Sequence, residues 1–321
     1  MQPAPAAIDR SLCVAPMMRY SHTHARHLWR LLCPPALLYT EMIPAAALAG
    51  TPAKRLLCDP RQQPVALQVG CREPGQFAHA AGCAEQLGYA EINLNCGCPS
   101  PRVAGGGFGA CLMGEPQTVA ACLAAAKDAV SIPVTVKCRI AIDDMDAQTG
   151  LDQFADCVLA AGCDALIVHA RRAWLAGLNP KENRTRPPLD HDRVLRLKQR
   201  LGSFPVIING GIDSQQQAAD LIGRGVDGVM IGRAAVRRTL LLAEIAATRG
   251  CRIDVADAIA SYLDYCAGQL AAGAAARMLF APLMGVAACK QGARAFRQTV
   301  AKACANRADP KEVAVAAASL A

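Results

Sequence analysis

Short apolar runs rich in Val, Ile and Leu recur along the chain, each followed by a stretch with helical spacing and many alanines. The runs are Leu12 to Ala15, Leu37 to Glu41, Val65 to Val69, Glu91 to Asn95, Val134 to Cys138, Ala165 to His169, Val206 to Asn209 and Gly228 to Ile231. Runs this short, separated by helical patterns such as Glu115 to Val130 and Ser214 to Arg224, read as βα units around a parallel sheet. Eight of them in succession predict a (β/α)8 TIM barrel rather than an open doubly wound sheet. The barrel should close near residue 240. Beyond it, Asp254 to Gly273 and Gly292 to Ala305 read as helices with no strand between them. The expected organisation is a catalytic TIM-barrel domain over 1–240 and a smaller C-terminal helical domain over 250–321.

Composition narrows the class. With 321 residues, 53% of them hydrophobic, the chain can bury a large core without staples, and 19% charged and 4% aromatic residues exclude a disordered acidic chain or a coiled coil. The 16 cysteines are scattered, mostly inside apolar runs as at Cys13, Cys157 and Cys266, so they read as core residues rather than a disulfide framework. The first residues lack the pattern of a secretory signal, and no run of ~18 apolar residues appears, so a soluble, cytoplasmic protein without a membrane segment is expected. A net charge of +8 says little by itself. Its distribution says more: Lys290, Arg294, Arg297, Lys302 and Arg307 follow one another with no acid between, and the first three share a helix face.

In a barrel of this kind, chemistry collects at the C-terminal ends of the strands. Those ends are Pro16-Met17-Met18, Glu41, Gln68, Asn95, Lys137 with Arg139 behind it, His169, Asn209-Gly210-Gly211 and Gly232-Arg233. The two glycine turns and Arg233 offer backbone N–H groups and a guanidinium to a phosphate. Lys137, in an apolar run, must aim its charge inward and calls for an anionic partner. Together these fit FMN or a sugar phosphate; with the latter, Lys137 would be the Schiff-base nucleophile of an aldolase. In EINLNCGCPS, the CxC pair has no second pair to complete a zinc site, and such close cysteines are poorly placed for a disulfide. Cys96 reads as packing and Cys98, beyond the glycine and fixed by Pro99, as aimed at the mouth. His22, His24 and His27 lack zinc-like company and are expected to face solvent. GGGFGA, Gly105 to Ala110, is expected to be a flexible lid segment. The long segment after the sixth run, with Arg171, Arg172, Trp174, Lys181, Arg184 and Arg186, suits phosphate contact and stacking.

APMM, LYTEM, LNCGCPSPRVAGGGFGACLM, VTVKCR, IVHARRAWLAGLNPKENR, INGG and MIGR, in that order from about Val14 to Arg233, resemble the tRNA-dihydrouridine synthase family, with a weaker echo in GARAFRQ. Within it the chain is most similar to the subfamily acting on D-loop positions 20 and 20a. The resemblance implies an FMN-dependent oxidoreductase that uses NADPH (or NADH) to reduce the C5–C6 bond of uridine in tRNA. It places Pro16, Met17, Met18, Gln68, Lys137, His169, Asn209, Gly210, Gly211, Gly232 and Arg233 on the flavin, and Cys98 as the catalytic acid. Asn95, Lys181, Arg184, Arg294 and Arg297 fall on tRNA-binding positions. No stable protein partner and no metal is implied. A free thiol titrates near ~8.5, so a cysteine can donate a proton at neutral pH. The target base would have to turn out of its stack to reach the site. One departure stands out: where the subfamily continues APMM with Asp-Trp and then Thr-Asp-Arg-His, this chain has Arg19-Tyr20-Ser21-His22-Thr23-His24. A non-catalytic tRNA-binding factor is the alternative from a different class, opposed by the retention of Cys98 and Lys137.

Overall fold

The computed structural model describes residues 8–48, 58–305 and 309–320. Among these are nine parallel strands: β1 (Leu12–Val14), β2 (Leu37–Tyr39), β3 (Ile43–Pro44), β4 (Val65–Gly70), β5 (Glu91–Asn95), β6 (Val134–Arg139), β7 (Leu166–His169), β8 (Val206–Asn209) and β9 (Gly228–Ile231). Eight close into a barrel, β2 pairing with β4 and β9 returning to β1. The short β3 continues β2 along the same edge of β4. Pairing of Leu38 with Val65 and of Ile43 with Val69 leaves one extra residue over 40–42, a bulge at the mouth.

Because side chains alternate along a strand, each strand serves two cores. Leu12, Leu38, Val65, Ile92, Val136 and Val168 face outward and pack under the helices. Cys13, Leu37, Ala66, Ile167, Ile207 and Met230 face the axis and fill the barrel. β5 keeps the alternation but turns polar groups inward: Glu91, Asn93 and Asn95 face the axis and all three are buried.

After β9, helices Arg233–Arg237 and Leu241–Thr248 finish the barrel layer, and a second core begins. It is built by helices Val255–Ala271, Ala276–Phe280, Ala293–Cys304 and Pro310–Ala318 around Tyr262, Phe280, Phe296 and Val300. The sequence reading anticipated the first and third of these; the other two, at 5 and 9 residues, are too short to show a clear period. The barrel's first helix, Thr23–Leu32, belongs to both cores: Ala25 and Trp29 pack toward the strands, Leu28 and Leu32 toward the C-terminal helices. Gly285 seats this second layer. The Thr239 N–H donates to its carbonyl at 3.1 Å, and a Cβ there would collide with the Val236 carbonyl and the Thr239 hydroxyl.

A candidate active site at the barrel mouth

Lys137 and Arg139 lie two apart on β6 and so share the inward face, beside His169 at the end of β7 and Arg233 just past β9. Burial brings the Lys137 ammonium down to about 8, with Arg139 adding to the effect, and brings the Arg139 guanidinium down to about 10. His169 is driven well below its ordinary value, first by burial and then by Arg139, Lys137, Arg171 and Arg233, so its imidazole is neutral at pH 7. The anionic partner expected for Lys137 is not a side chain: its Nζ donates to Asn209 Oδ1 at 3.1 Å. Among the described residues no carboxylate pairs with Lys137, Arg139, Arg171, Arg184 or Arg233. Lys137 and Arg139, gathered out of water without a counter-charge, with Arg171, Arg184 and Arg233 toward the rim, favour an anion. Gly210 and Gly211, at φ 116° and 72°, hold the turn after β8 in a conformation few other residues adopt, and a Cβ on Gly210 would stand 2.6 Å from His169.

Next to β6, β5 ends in the cysteine loop. Asn95 Oδ1 accepts from the N–H groups of Gly97 (3.1 Å) and Cys98 (3.0 Å), while its Nδ2 donates to Gln68 Oε1 at 2.8 Å. One Nδ2 hydrogen is left for another acceptor. Cys96 is fully buried against the helices, whereas Cys98 is part-exposed and close enough to Lys137 and Arg139 to act on both charges. The Cys98 carbonyl accepts from Ala110 at 2.9 Å. The Gly105–Ala110 segment differs from the expected flexible lid. Phe108 packs into the core between Gly70 and Gly106, where a Cβ at either would stand 2.5 Å from the ring, so the segment is a brace under the cysteine loop.

Arg139 ties the loops together: its Nε donates to Gly97 O at 2.9 Å and its Nη1 to Asn183 O at 2.9 Å. Asn183, fully buried, organises the long segment after β7. It receives the Trp174 N–H at 2.8 Å and donates to the carbonyls of Trp174 (2.8 Å) and Leu178 (3.1 Å). Lys181 and Arg184 are therefore held exposed at the rim, and Arg233 Nη2 donates to Arg184 O at 3.0 Å. Pro16 and Met17 are part-buried at the end of β1, and Met18 is 58% exposed. Arg19 adopts φ 69°, its N–H bonded to the Glu41 carboxylate, so Met18, Arg19 and Tyr20 stand outward on a pinned turn. Arg294 and Arg297 are not brought to the cysteine loop. They lie exposed on helix Ala293–Cys304, with Arg297 reaching the carbonyls of Met284 and Ala287 at 3.4 Å.

The histidines are where the sequence reading fails. His22 caps the first helix, and His24 and His27 meet the C-terminal layer instead of solvent: His24 Nδ1 lies 2.7 Å from Tyr265 Oη, and His27 stacks on the Tyr265 ring at 3.9 Å. No metal-holding group of His, Cys, Asp or Glu occurs among the described residues. The residues overlooked in the sequence are Asn183 and the interior set Arg10, Tyr39, Glu91, Asn93 and Thr135. For the latter the signal was present in the alternation of EINLN, which puts three polar groups on one face.

The profile of one protein family, Dihydrouridine synthase (Dus), matches residues 13–318. The chain is 45% identical over 305 residues to a tRNA-dihydrouridine(20/20a) synthase of Xanthomonas campestris pv. campestris, spanning 94% of this chain and 91% of the relative. To the tRNA-dihydrouridine(20/20a) synthase of Salmonella typhi it is 49% identical over 233 residues, 72% and 70% of the two chains. The old yellow enzyme from Trypanosoma cruzi superposes with a TM-score of 0.54 at 9% identity over 78% of this chain and 91% of that one. A 2-naphthoyl-CoA reductase does so at 0.57 and 9%, over 75% and 50%. Both share the barrel. In the described residues no helix is long and apolar enough to cross a membrane.

Proposed function

The chain belongs to the dihydrouridine synthase family, and on that premise we propose that it is a cytoplasmic, FMN-dependent tRNA-dihydrouridine synthase reducing uridine at D-loop positions 20 and 20a with NADPH. The observation that carries this reading is the mouth itself: a cationic wall with no carboxylate, beside a part-exposed thiol on the neighbouring strand's loop. Such a wall fits FMN, whose phosphate suits Arg233 and the turns at Asn209 to Gly211 and Gly232, and whose ring would lie over Gln68, Lys137 and His169 with Pro16, Met17 and Met18 at its edge. When bound and reduced, FMN supplies a hydride to C6 of the uracil.

The chain's own residues do the rest. Asn95 holds the loop that presents Cys98, and Cys98 Sγ gives its proton to C5 on the face opposite the hydride, completing the addition of one hydride and one proton. Its thiolate regains a proton from water. Lys137 places positive charge beside the ring, and neutral His169 offers a hydrogen bond without adding charge. Lys181, Arg184, Arg294 and Arg297 grip the RNA backbone while the base turns out into the mouth.

Colour is the first test. The purified protein should be yellow and oxidise NADPH; a colourless protein trapped by borohydride on Lys137 would establish the aldolase instead. Next, tRNA from a strain lacking the gene should have lost dihydrouridine at 20 and 20a. Cys98→Ala should abolish the product while leaving bound flavin, and Cys96→Ala should change little. Dihydrouridine unaltered in the deletion strain would leave only the non-catalytic binder.

A further inference from the structure

Inside the barrel a line of polar side chains runs from its floor to the cysteine loop, past the apolar side chains that fill the axis. Arg10 pairs with Glu91 Oε2 through Nε at 2.8 Å and Nη2 at 2.6 Å. Glu91 Oε1 accepts from Tyr39 Oη at 2.8 Å and Thr135 Oγ1 at 2.6 Å. Thr135 Oγ1 accepts from Asn93 Nδ2 (2.9 Å), Asn93 Oδ1 from Gln68 Nε2 (2.8 Å) and Gln68 Oε1 from Asn95 Nδ2 (2.8 Å). Asn95 Oδ1 then takes the N–H groups of Gly97 and Cys98.

The two ends fix the direction of every bond between them. A carboxylate held by an arginine can only accept, and two backbone N–H groups can only donate. Thr135, Asn93, Gln68 and Asn95 must therefore each donate toward Glu91 and accept from the loop side, and only one orientation of the three amides satisfies all of them. Were the Asn95 amide turned over, its NH2 would face the Gly97 and Cys98 N–H groups. In a low-dielectric interior an unmatched donor or acceptor is costly, so the state of one link constrains the next.

We propose that this column is a positioning device: Glu91, Thr135 and Asn93, none of which reaches the mouth, set the polarity of Asn95 and thereby the placement of Cys98 for proton transfer. The proposal rests on the function proposed above. It also explains why β5 spends three interior positions on polar groups in a barrel that apolar side chains would fill more simply.

Thr135→Val removes the hydroxyl at nearly constant volume, and Thr135→Ser restores it. In Thr135→Val, flavin content and the rate of flavin reduction by NADPH should stay within about twofold of wild type, while tRNA-dependent reoxidation falls about tenfold to a hundredfold, the scale set by a small misplacement of a reacting group. The loss should appear in kcat rather than KM, and Thr135→Ser should restore it. Alkylation of Cys98 by iodoacetamide, followed by peptide mass, should quicken in Thr135→Val with or without flavin, as the loop is released. If Thr135→Val does not accumulate folded, Glu91→Gln, which removes the obligate acceptor at constant size, should give the same pattern. Equal reoxidation and equal alkylation in Thr135→Val and wild type would overturn the proposal. So would a loss confined to thermal stability and flavin content, with reoxidation per bound flavin unchanged. A wild-type protein that tRNA does not reoxidise would sink the proposed function, and the alkylation comparison would still decide the column.

Discussion

Lys137 shows how strongly burial acts on a single group. Displacement from 10.5 to about 8 corresponds to roughly 3 kcal/mol against the charged form, imposed mainly by burial. Below pH about 8 the side chain is charged in both folded and unfolded chains and the fold carries the whole penalty; between about 8 and 10.5 the folded form deprotonates first and the penalty fades. An anion beside it acts the other way and favours the ammonium. Affinity of the flavin-free protein for FMN, followed by fluorescence quenching, should therefore be full below pH about 8 and decline above it. Lys137→Met should weaken FMN binding at least about tenfold, flatten that decline and raise the melting temperature of the flavin-free protein. A variant that lost stability instead would mean that Lys137 is held by its contact with Asn209 and not poised for an anion. The sequence drew attention to Lys137, Cys98 and the glycine turns because each is an exception to its surroundings. It did not reveal Asn183 or the Glu91 column, whose meaning lies in partners 4 to 81 positions away.

At the scale of elements, the strands and long helices were legible because burial on both faces or on one stripe writes a period into the chain, and the eight predicted runs are the eight barrel strands. Loops follow no period. The segment after β7 is folded around one buried asparagine, so Asn183→Ala should loosen it, costing about 1–3 kcal/mol for the partners left unmatched. Its tRNA affinity should fall while flavin stays bound, and limited proteolysis between 171 and 190 should quicken. Lys181 and Arg294 offer a different measurement. Replacing either by Ala should lower the slope of log affinity for tRNA against log salt by about one. No change for Arg294, which lies away from the cysteine loop, would remove helix Ala293–Cys304 from the RNA-binding surface.

For the whole molecule, buried histidines make the fold sensitive to acid. Burial lowers His22 to about 4 and also lowers His24 and His27, the latter two at the junction of barrel and C-terminal helices, and His169 is lowered at the mouth. The fold therefore refuses protons that the unfolded chain accepts from pH about 6.5 downward, and stability should be lost progressively below that value. Melting at pH 5 should come well below melting at pH 7.5. His27→Phe, which keeps a ring against Tyr265 but cannot titrate, should narrow the gap. An unchanged gap would shift the acid sensitivity to other groups.

The shared first helix also bears on the order in which the molecule is made. Leu28 and Leu32 leave the ribosome early, but the residues that cover them, from Ala258 to Val286, follow roughly 230 positions later. At a synthesis rate of about 5–20 residues per second that interval is about 10 to 50 s. Until the end of it Leu28 and Leu32 form an uncovered apolar stripe, and even once β9 is made and the barrel can close, that stripe is still bare, a natural landing place for a holding chaperone. Halting translation after residue 250 should leave a nascent chain that such a chaperone retains and that the last seventy residues, once added, release.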